Sequence, residues 1–170
     1  MVPRFGGKPR VGLPETPSEW QRYLRAKAIG WLARREHSSA ELAAKLGRLT
    51  PEDTLVEAVL ADLRSHDLLS DTRFVESFVR SRSARYGSAR VAGDLRAKGV
   101  PVEQARDLID SLKAVDLARA QALWERKFGV AAADSAARAK QMRFLQARGF
   151  PSEVIRRVVP RAVAAADLPD

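Results

Sequence analysis

Residues 95–103 read Leu-Arg-Ala-Lys-Gly-Val-Pro-Val-Glu, and residues 145–153 repeat the pattern as Leu-Gln-Ala-Arg-Gly-Phe-Pro-Ser-Glu. Their glycines, Gly99 and Gly149, lie 50 positions apart (149 minus 99). A glycine that follows a helical run is typical of a left-handed helix cap, and a proline two residues later favours the start of the next helix. The sequence therefore predicts one helix–corner–helix junction that is used twice.

A second repeated signal lies upstream of each junction. Residues 85–87 (Arg-Tyr-Gly) match residues 127–129 (Lys-Phe-Gly), each at the predicted end of a helix. Apolar residues at three- and four-residue spacing predict helices between these signals. Residues 18–67 keep only traces of the pattern, as terminal repeats often do. We therefore predict an all-α protein made of three tandem three-helix repeats, each a helix–corner–helix unit like a winged helix without its wing.

Cap signals and helix breakers place the boundaries of these repeats. Prolines and glycines crowd the first residues, and Ser70-Asp71 is typical of a helix start. The predicted organisation is a disordered basic arm (1–17), repeat 1 (18–67), repeat 2 (68–113), repeat 3 (114–160) and a frayed tail (161–170).

The same signals predict the ends of individual helices. The first helix should run from Ser18 to near His37, and Ser38 should cap the second helix. Threonine suits a helix cap, and proline suits a first helical position because its missing amide proton is not needed there. Three third helices should therefore start at a proline: Pro51 (with Thr50 as its cap), Pro101 and Pro151.

The charge balance favours an acidic partner. The chain of 170 residues carries a net charge of +9, with a pI of about 10.6. A basic excess of this kind favours phosphate-bearing or acidic partners, although a merely soluble surface gives the same totals. Arginines are concentrated in the second and third repeats, and the planar guanidinium pairs with phosphate or carboxylate in a bidentate way.

Several classes of protein are excluded or disfavoured. The absence of cysteine excludes disulfides, thiol nucleophiles and cysteine-ligated zinc. No run approaches the roughly 20 apolar residues of a membrane span, and the N-terminus lacks a signal-peptide core, so we expect a cytoplasmic protein. His37 and His66 lack partners at metal-ligand spacing. We predict no catalytic residues, no metal and no cofactor, and therefore no enzyme.

The order of several short motifs resembles the RecX family, which comprises regulators of the RecA recombinase. The match is carried by residues 35–38 (Arg-Glu-His-Ser), 69–74 (Leu-Ser-Asp-Thr-Arg-Phe) and 143–150 (Arg-Phe-Leu-Gln-Ala-Arg-Gly-Phe), together with the repeated glycine signals. It covers roughly residues 20 to 160. Ser70 departs from the pattern, because the family usually has a second acid there, but serine caps a helix equally well.

The resemblance implies an elongated, curved array that acts without catalysis. It implies an inhibitor that lies in the groove of the RecA filament on single-stranded DNA and lowers ATPase, strand exchange and co-protease activity. We expect a monomer with, at most, weak direct contact to DNA. The alternative is a free-standing DNA-binding protein that uses its helix–corner–helix repeats.

Basic residues of repeats 2 and 3 are the candidate contacts to a partner or to phosphate. Arg82 and Arg85 fall towards the apolar side of their helix near its end, where they either snorkel or point at a partner. The alternative for each residue is a solvated face with local ion pairs. The candidates, with Arg82, Arg85 and Arg90 first among them, are Arg73, Arg80, Arg82, Arg85, Arg90, Arg96, Lys98, Arg143 and Arg148.

Overall fold

The computed structural model describes residues 14–162, apart from the side chain of Val102. This part of the chain contains nine α-helices and no strand, as predicted. The predictions for residues 1–13 of the arm and 163–170 of the tail lie outside the described residues. The helices are α1 (Pro17–Leu32), α2 (Ser39–Leu46), α3 (Asp53–Ser65), α4 (Asp71–Ser83), α5 (Ser88–Ala97), α6 (Val102–Ala114), α7 (Asp116–Lys127), α8 (Ser135–Gln146) and α9 (Ser152–Val158).

The nine helices form three units, each with its own hydrophobic core. Leu24, Leu46 and Leu63 belong to the core of unit 1, which is built by α1–α3. Separate clusters form the cores of unit 2 (α4–α6) and unit 3 (α7–α9). Substantial packing between the described helices stays within a unit, except where α6 meets α7. The predicted tandem array of three-helix repeats is therefore confirmed.

The repeated glycines adopt the predicted left-handed conformation. Gly99 has φ 73° and Gly149 has φ 75°. The next residue in each case donates its amide proton back to the leucine that opens the repeated stretch: Val100 N lies 3.2 Å from Leu95 O, and Phe150 N lies 3.3 Å from Leu145 O. This backbone bond closes the last helical turn and directs the chain into the third helix of its unit.

Several helix ends differ from the sequence predictions. Helix α1 already includes Pro17, which was assigned to the arm, and it ends at Leu32 rather than near His37. Thr16 caps α1 through a capping box with Glu19, which explains the earlier start. Residues 33–37 connect α1 to α2 instead, and His37 is buried in this connection. Ser38 caps α2 as predicted.

The third helices begin one or two residues later than predicted. Pro101 and Pro151 are N-caps with ψ 139° and 146°, so their extended backbone precedes the helix. Thr50 does not cap α3: its Oγ1 accepts from Glu52 N at 3.2 Å, and Glu52 is the N-cap. Proline has nearly the same fixed φ whether it is an N-cap with extended backbone or the first residue of a helix. The sequence alone therefore does not distinguish these two positions.

Candidate functional site

Cations and aromatic rings alternate along one side of unit 2. The Arg82 guanidinium lies 5.4 Å from the Phe78 ring centre and 5.1 Å from the Tyr86 ring centre. The Arg90 guanidinium lies 4.7 Å from the centre of the same Tyr86 ring, and Lys98 Nζ lies 5.8 Å from the centre of the Phe78 ring. Cations at these distances are attracted by the negative faces of the rings. We call these five residues the cation–aromatic row.

The row forms because α4 and α5 pack side by side. Phe78 and Arg82 are four residues apart on α4 and share a face, and Tyr86 follows the end of that helix. Arg90 of α5 and Lys98, the residue that follows α5, reach rings that lie on α4 or just after it. Arg82 is half-buried, as expected for a snorkelling side chain, and its Nη2 is 3.6 Å from Asp94 Oδ2.

Each end of the row reaches a neighbouring unit. At one end, Lys98 Nζ pairs with Glu41 Oε1 of unit 1 at 2.5 Å. At the other end, Arg90 Nη1 donates to Ala147 O of unit 3 at 2.9 Å. Beyond it, the Arg148 guanidinium lies 3.7 Å from the centre of the Phe144 ring. The row therefore contacts both neighbouring units: it ends on a carboxylate of unit 1, and a further cation follows it on unit 3.

The other candidate residues occupy different surroundings. Arg80, Arg85 and Arg143 are exposed and have no ion-pair partner among residues 14–162. Arg96 lies on a different face of α5 from Arg90, where it lines a groove with α6. Arg73 is bound within the protein: its Nε is 3.0 Å from Glu36 Oε1 and its Nη1 is 2.8 Å from Asp67 Oδ1. That all nine candidates share one binding surface stays a prediction.

A buried aspartate joins unit 2 to unit 3. Asp116, the first residue of α7, is fully buried and accepts from Ser88 Oγ at 2.6 Å and Ser88 N at 3.2 Å. Its Oδ1 pairs with Arg119 Nη1 at 2.9 Å. Arg119 Nη2 also donates to the carbonyl oxygens of Ser83 and Tyr86. One ion pair thereby holds the start of unit 3 against the turn between α4 and α5.

The same joint, in a more exposed form, links unit 1 to unit 2. Asp71, the first residue of α4, accepts from Ser39 N at 2.7 Å. Ser38 Oγ donates to Lys98 O at 2.7 Å, whereas Gly87 N donates to Arg148 O at 2.8 Å in the second joint. In each joint, therefore, the start of a unit's second helix is hydrogen-bonded to the residue before the corner glycine of the following unit.

Sequence reasoning missed these joints, although their signals are present. Ser39 and Ser88, the first residues of α2 and α5, are 49 positions apart (88 minus 39), close to the 50-residue offset of Gly99 and Gly149. Both α4 and α7 begin with an aspartate. An aspartate in a first turn is also a common helix-start signal, so its second role across a unit boundary is visible only in the fold.

The pKa of Glu41, an acid at the first joint, is strongly shifted by the surroundings of its carboxylate. Partial burial opposes its ionisation, but hydrogen bonds and charge from Arg35 and Lys98 outweigh that effect and lower its pKa to about 2. His37, 3.5 Å from Glu41 Oε2, has its pKa lowered chiefly by burial. The joint is therefore built to hold a carboxylate at neutral pH.

We predict that Glu41 contributes to the acid dependence of stability. Its pKa is lower in the folded chain than the ordinary 4.5, so its contribution is complete above pH 4.5 and is lost as the pH falls towards 2. Urea unfolding at several pH values should show that the free energy of unfolding falls by about 1 kcal/mol more for wild type than for Glu41→Gln over that pH range. This figure allows for solvent screening. Parallel pH profiles for both proteins would contradict this assignment.

Residues 14–162 also show two absences. None of their helices has the length and apolar character needed to span a membrane. Histidine and acidic side chains within the same range do not gather into a group able to hold a metal ion.

Comparison with known proteins identifies relatives of this chain. A family model described as "RecX, third three-helix domain" matches residues 114–159, and one described as "RecX, second three-helix domain" matches residues 70–109. "Regulatory protein RecX" of Leptothrix cholodnii is 45% identical over 80% of this chain and 87% of its own length. The protein of that name from Ralstonia nicotianae is 43% identical over 92% of this chain and 96% of its own.

A solved structure of similar shape agrees with this fold. The crystal structure of RecX from Lactobacillus salivarius superposes with a TM-score of 0.70 at 20% identity, and covers 83% of this chain and 95% of that one. At this identity the likeness supports the arrangement of the helices alone.

Proposed function

Because the chain belongs to the RecX family of regulatory proteins, we propose that it inhibits the RecA recombinase. It lies as a monomer in the groove of the RecA filament on single-stranded DNA and lowers ATPase, strand exchange and co-protease activity. It acts in the cytoplasm by binding and not by catalysis.

The cation–aromatic row is the observation that best supports this proposal. The tandem array presents cations on units 2 and 3 in succession, and the groove of a helical filament is an elongated binding surface that such a series of cations can follow. Arg82 and Arg90 are held over Tyr86, so the entropy lost when they bind a partner is reduced in advance. Arg80, Arg85 and Arg143 are exposed and add positive charge to units 2 and 3.

The test is RecA ATPase on single-stranded DNA, measured while this protein is titrated in. We expect inhibition at less than one molecule per RecA monomer. An unchanged ATPase would overturn the proposal. Affinity for naked DNA, measured over a range of salt concentrations, addresses the alternative of a free-standing DNA-binding protein. Tight binding to naked DNA with a steep salt slope, without effect on RecA, favours that alternative.

We predict that Arg82→Ala combined with Arg85→Ala raises the concentration needed for half-inhibition by about tenfold, which corresponds to roughly 1.4 kcal/mol of binding free energy. The loss follows from removing one fixed and one exposed cation from the proposed interface. A matched control is Arg34→Ala combined with Arg48→Ala, which removes two exposed cations from unit 1.

The control double variant should inhibit like wild type. Thermal unfolding of both double variants separates binding from folding, because any stability that half-buried Arg82 provides through its contacts with the rings and Asp94 is then measured apart from inhibition. Equal inhibition by the two double variants would exclude these arginines from the interface.

A further inference from the structure

A groove between α5 and α6 lies apart from the cation–aromatic row. Its cavity of about 200 Å³ has an apolar floor and a rim of three cations and one carboxylate. On α5, Arg96 and Arg90 are six residues apart, so their side chains point about 120° apart around the helix. The lining comprises Ala92, Leu95, Val100, Ala105 and Ile109 on the floor, with Arg96, Arg106, Asp110 and Lys113 on the rim.

The charges on the rim are not neutralised equally. Lys113 Nζ pairs with Asp110 Oδ1 at 2.8 Å. Arg96 and Arg106 are exposed and have no ion-pair partner within residues 14–162. The groove continues towards unit 3, where Val154 extends its apolar lining and Glu153 brings a negative charge. Uncompensated positive charge is therefore confined to the α5–α6 end.

Unit 1 contains an equivalent groove with the opposite charge. Helices α3 and α6 both have 13 residues, and their first residues are 49 positions apart (102 minus 53). Leu60 therefore corresponds to Ile109, and Glu57 corresponds to Arg106. Glu57 lines the unit 1 groove where the unit 2 groove has Arg106, and Asp53 adds a second acid against the single lining cation, Arg64. The fold supplies the concave shape, and the sequence sets its charge separately in each unit.

We propose that the α5–α6 groove of unit 2 binds an acidic peptide segment of a protein partner, with one apolar side chain seated on the groove floor. Carboxylates of the peptide pair with Arg96 and Arg106, which present guanidinium groups on either side of the cavity. The apolar side chain covers Ile109. Glu153 repels carboxylates, so the acidic part of the peptide lies at the α5–α6 end and its neutral part extends towards α9.

Fluorescence anisotropy with a fluorescein-labelled peptide, Asp-Asp-Asp-Leu-Phe, tests this proposal on the full chain. We expect saturable binding with a dissociation constant below about 1 mM, and we expect added salt to weaken it. Combining Arg96→Glu and Arg106→Glu gives the rim an excess of negative charge, the sign found in unit 1, and should weaken binding by at least about tenfold. The matched control, Arg34→Glu with Arg126→Glu, makes the same change in net charge at exposed positions outside the groove.

Two further peptides separate a built site from general electrostatic attraction. Asp-Asp-Asp-Ser-Ser lacks the apolar anchor, and Lys-Lys-Lys-Leu-Phe reverses the charge; we expect both to bind at least tenfold more weakly than the first peptide, roughly 1.4 kcal/mol each. Equal affinity for the serine peptide, equal loss in the control variant, or no binding at about 1 mM would each overturn the proposal. Circular dichroism checks that every variant remains helical. The outcome does not depend on whether the protein inhibits RecA.

Discussion

Asp116→Ala should destabilise the joint between units 2 and 3 by about 3–5 kcal/mol, the cost of breaking a buried ion pair from one side. Asp116 is fully buried, and the substitution removes its bonds to Ser88 and leaves Arg119 without its counter-ion. Burial already lowers the pKa of Arg119, and the charge of Asp116 opposes that effect. Without Asp116 the guanidinium must remain charged in a partly desolvated place or pull the joint open.

Trp124 provides a local measurement of this loss. It is buried in the core of unit 3, and its Nε1 donates to Gln141 Oε1 at 2.9 Å. With Trp20→Phe and Trp31→Phe in the background, Trp124 is the remaining tryptophan of the three in the chain, so urea unfolding followed by fluorescence reports on unit 3. The expected result is a lower midpoint with a similar slope.

Asp71→Ala is the matched control for this prediction. Asp71 holds the equivalent place at the first joint, but it is only partly buried and accepts one hydrogen bond, from Ser39 N. Losing that bond should cost about 1 kcal/mol. Comparable losses at the two sites would show that burial does not distinguish the joints, and would refute the special role assigned to Asp116.

The local features of the fold were predictable from sequence because they depend on neighbouring residues. Gly99 and Gly149 follow helical runs and precede an apolar residue, and that pattern alone predicts a left-handed cap. The apolar stripe on α4 likewise predicts that Phe74 and Phe78 are buried, as they are. The first residues of the third helices are harder to predict, because proline fits both the N-cap and the first helical position.

The candidate site was only partly predictable, because its geometry depends on how α4 and α5 face each other. The sequence placed Arg82 near the apolar side of its helix, and the structure shows it between two rings. It did not predict that Arg73 is engaged by Glu36 and Asp67, or that Arg96 lies on a different face of α5 from Arg90. Those outcomes follow from contacts between residues far apart in the chain.

The close approach of two backbones at the second joint leads to the other large prediction. Gly87 has an ordinary φ of −72°, so its backbone conformation does not require glycine. A Cβ added there would lie 2.5 Å from Gly149 O and 2.8 Å from Phe150 Cα. These are backbone atoms, which cannot rotate away as the end of a side chain can. Gly87→Ala should therefore separate the two units, at a cost of about 3 kcal/mol.

Gly93→Ala is the control that isolates this steric effect. Gly93 lies within α5, and nothing surrounds the position of its missing Cβ within 4 Å. Alanine there should raise stability by about 0.5–1 kcal/mol, because glycine is a poor helix former. The same chemical change in the same unit is thus expected to act in opposite directions at the two positions.

Hydrogen exchange at the amide of Gly87, which donates to Arg148 O, measures opening of the joint directly. Gly87→Ala removes that protection if units 2 and 3 separate, while amides in the core of each unit should exchange as before. Protection retained at residue 87, with a stability equal to wild type, would mean that the backbones adjust without separating. The joint would then tolerate a side chain, and glycine at this position would need another explanation.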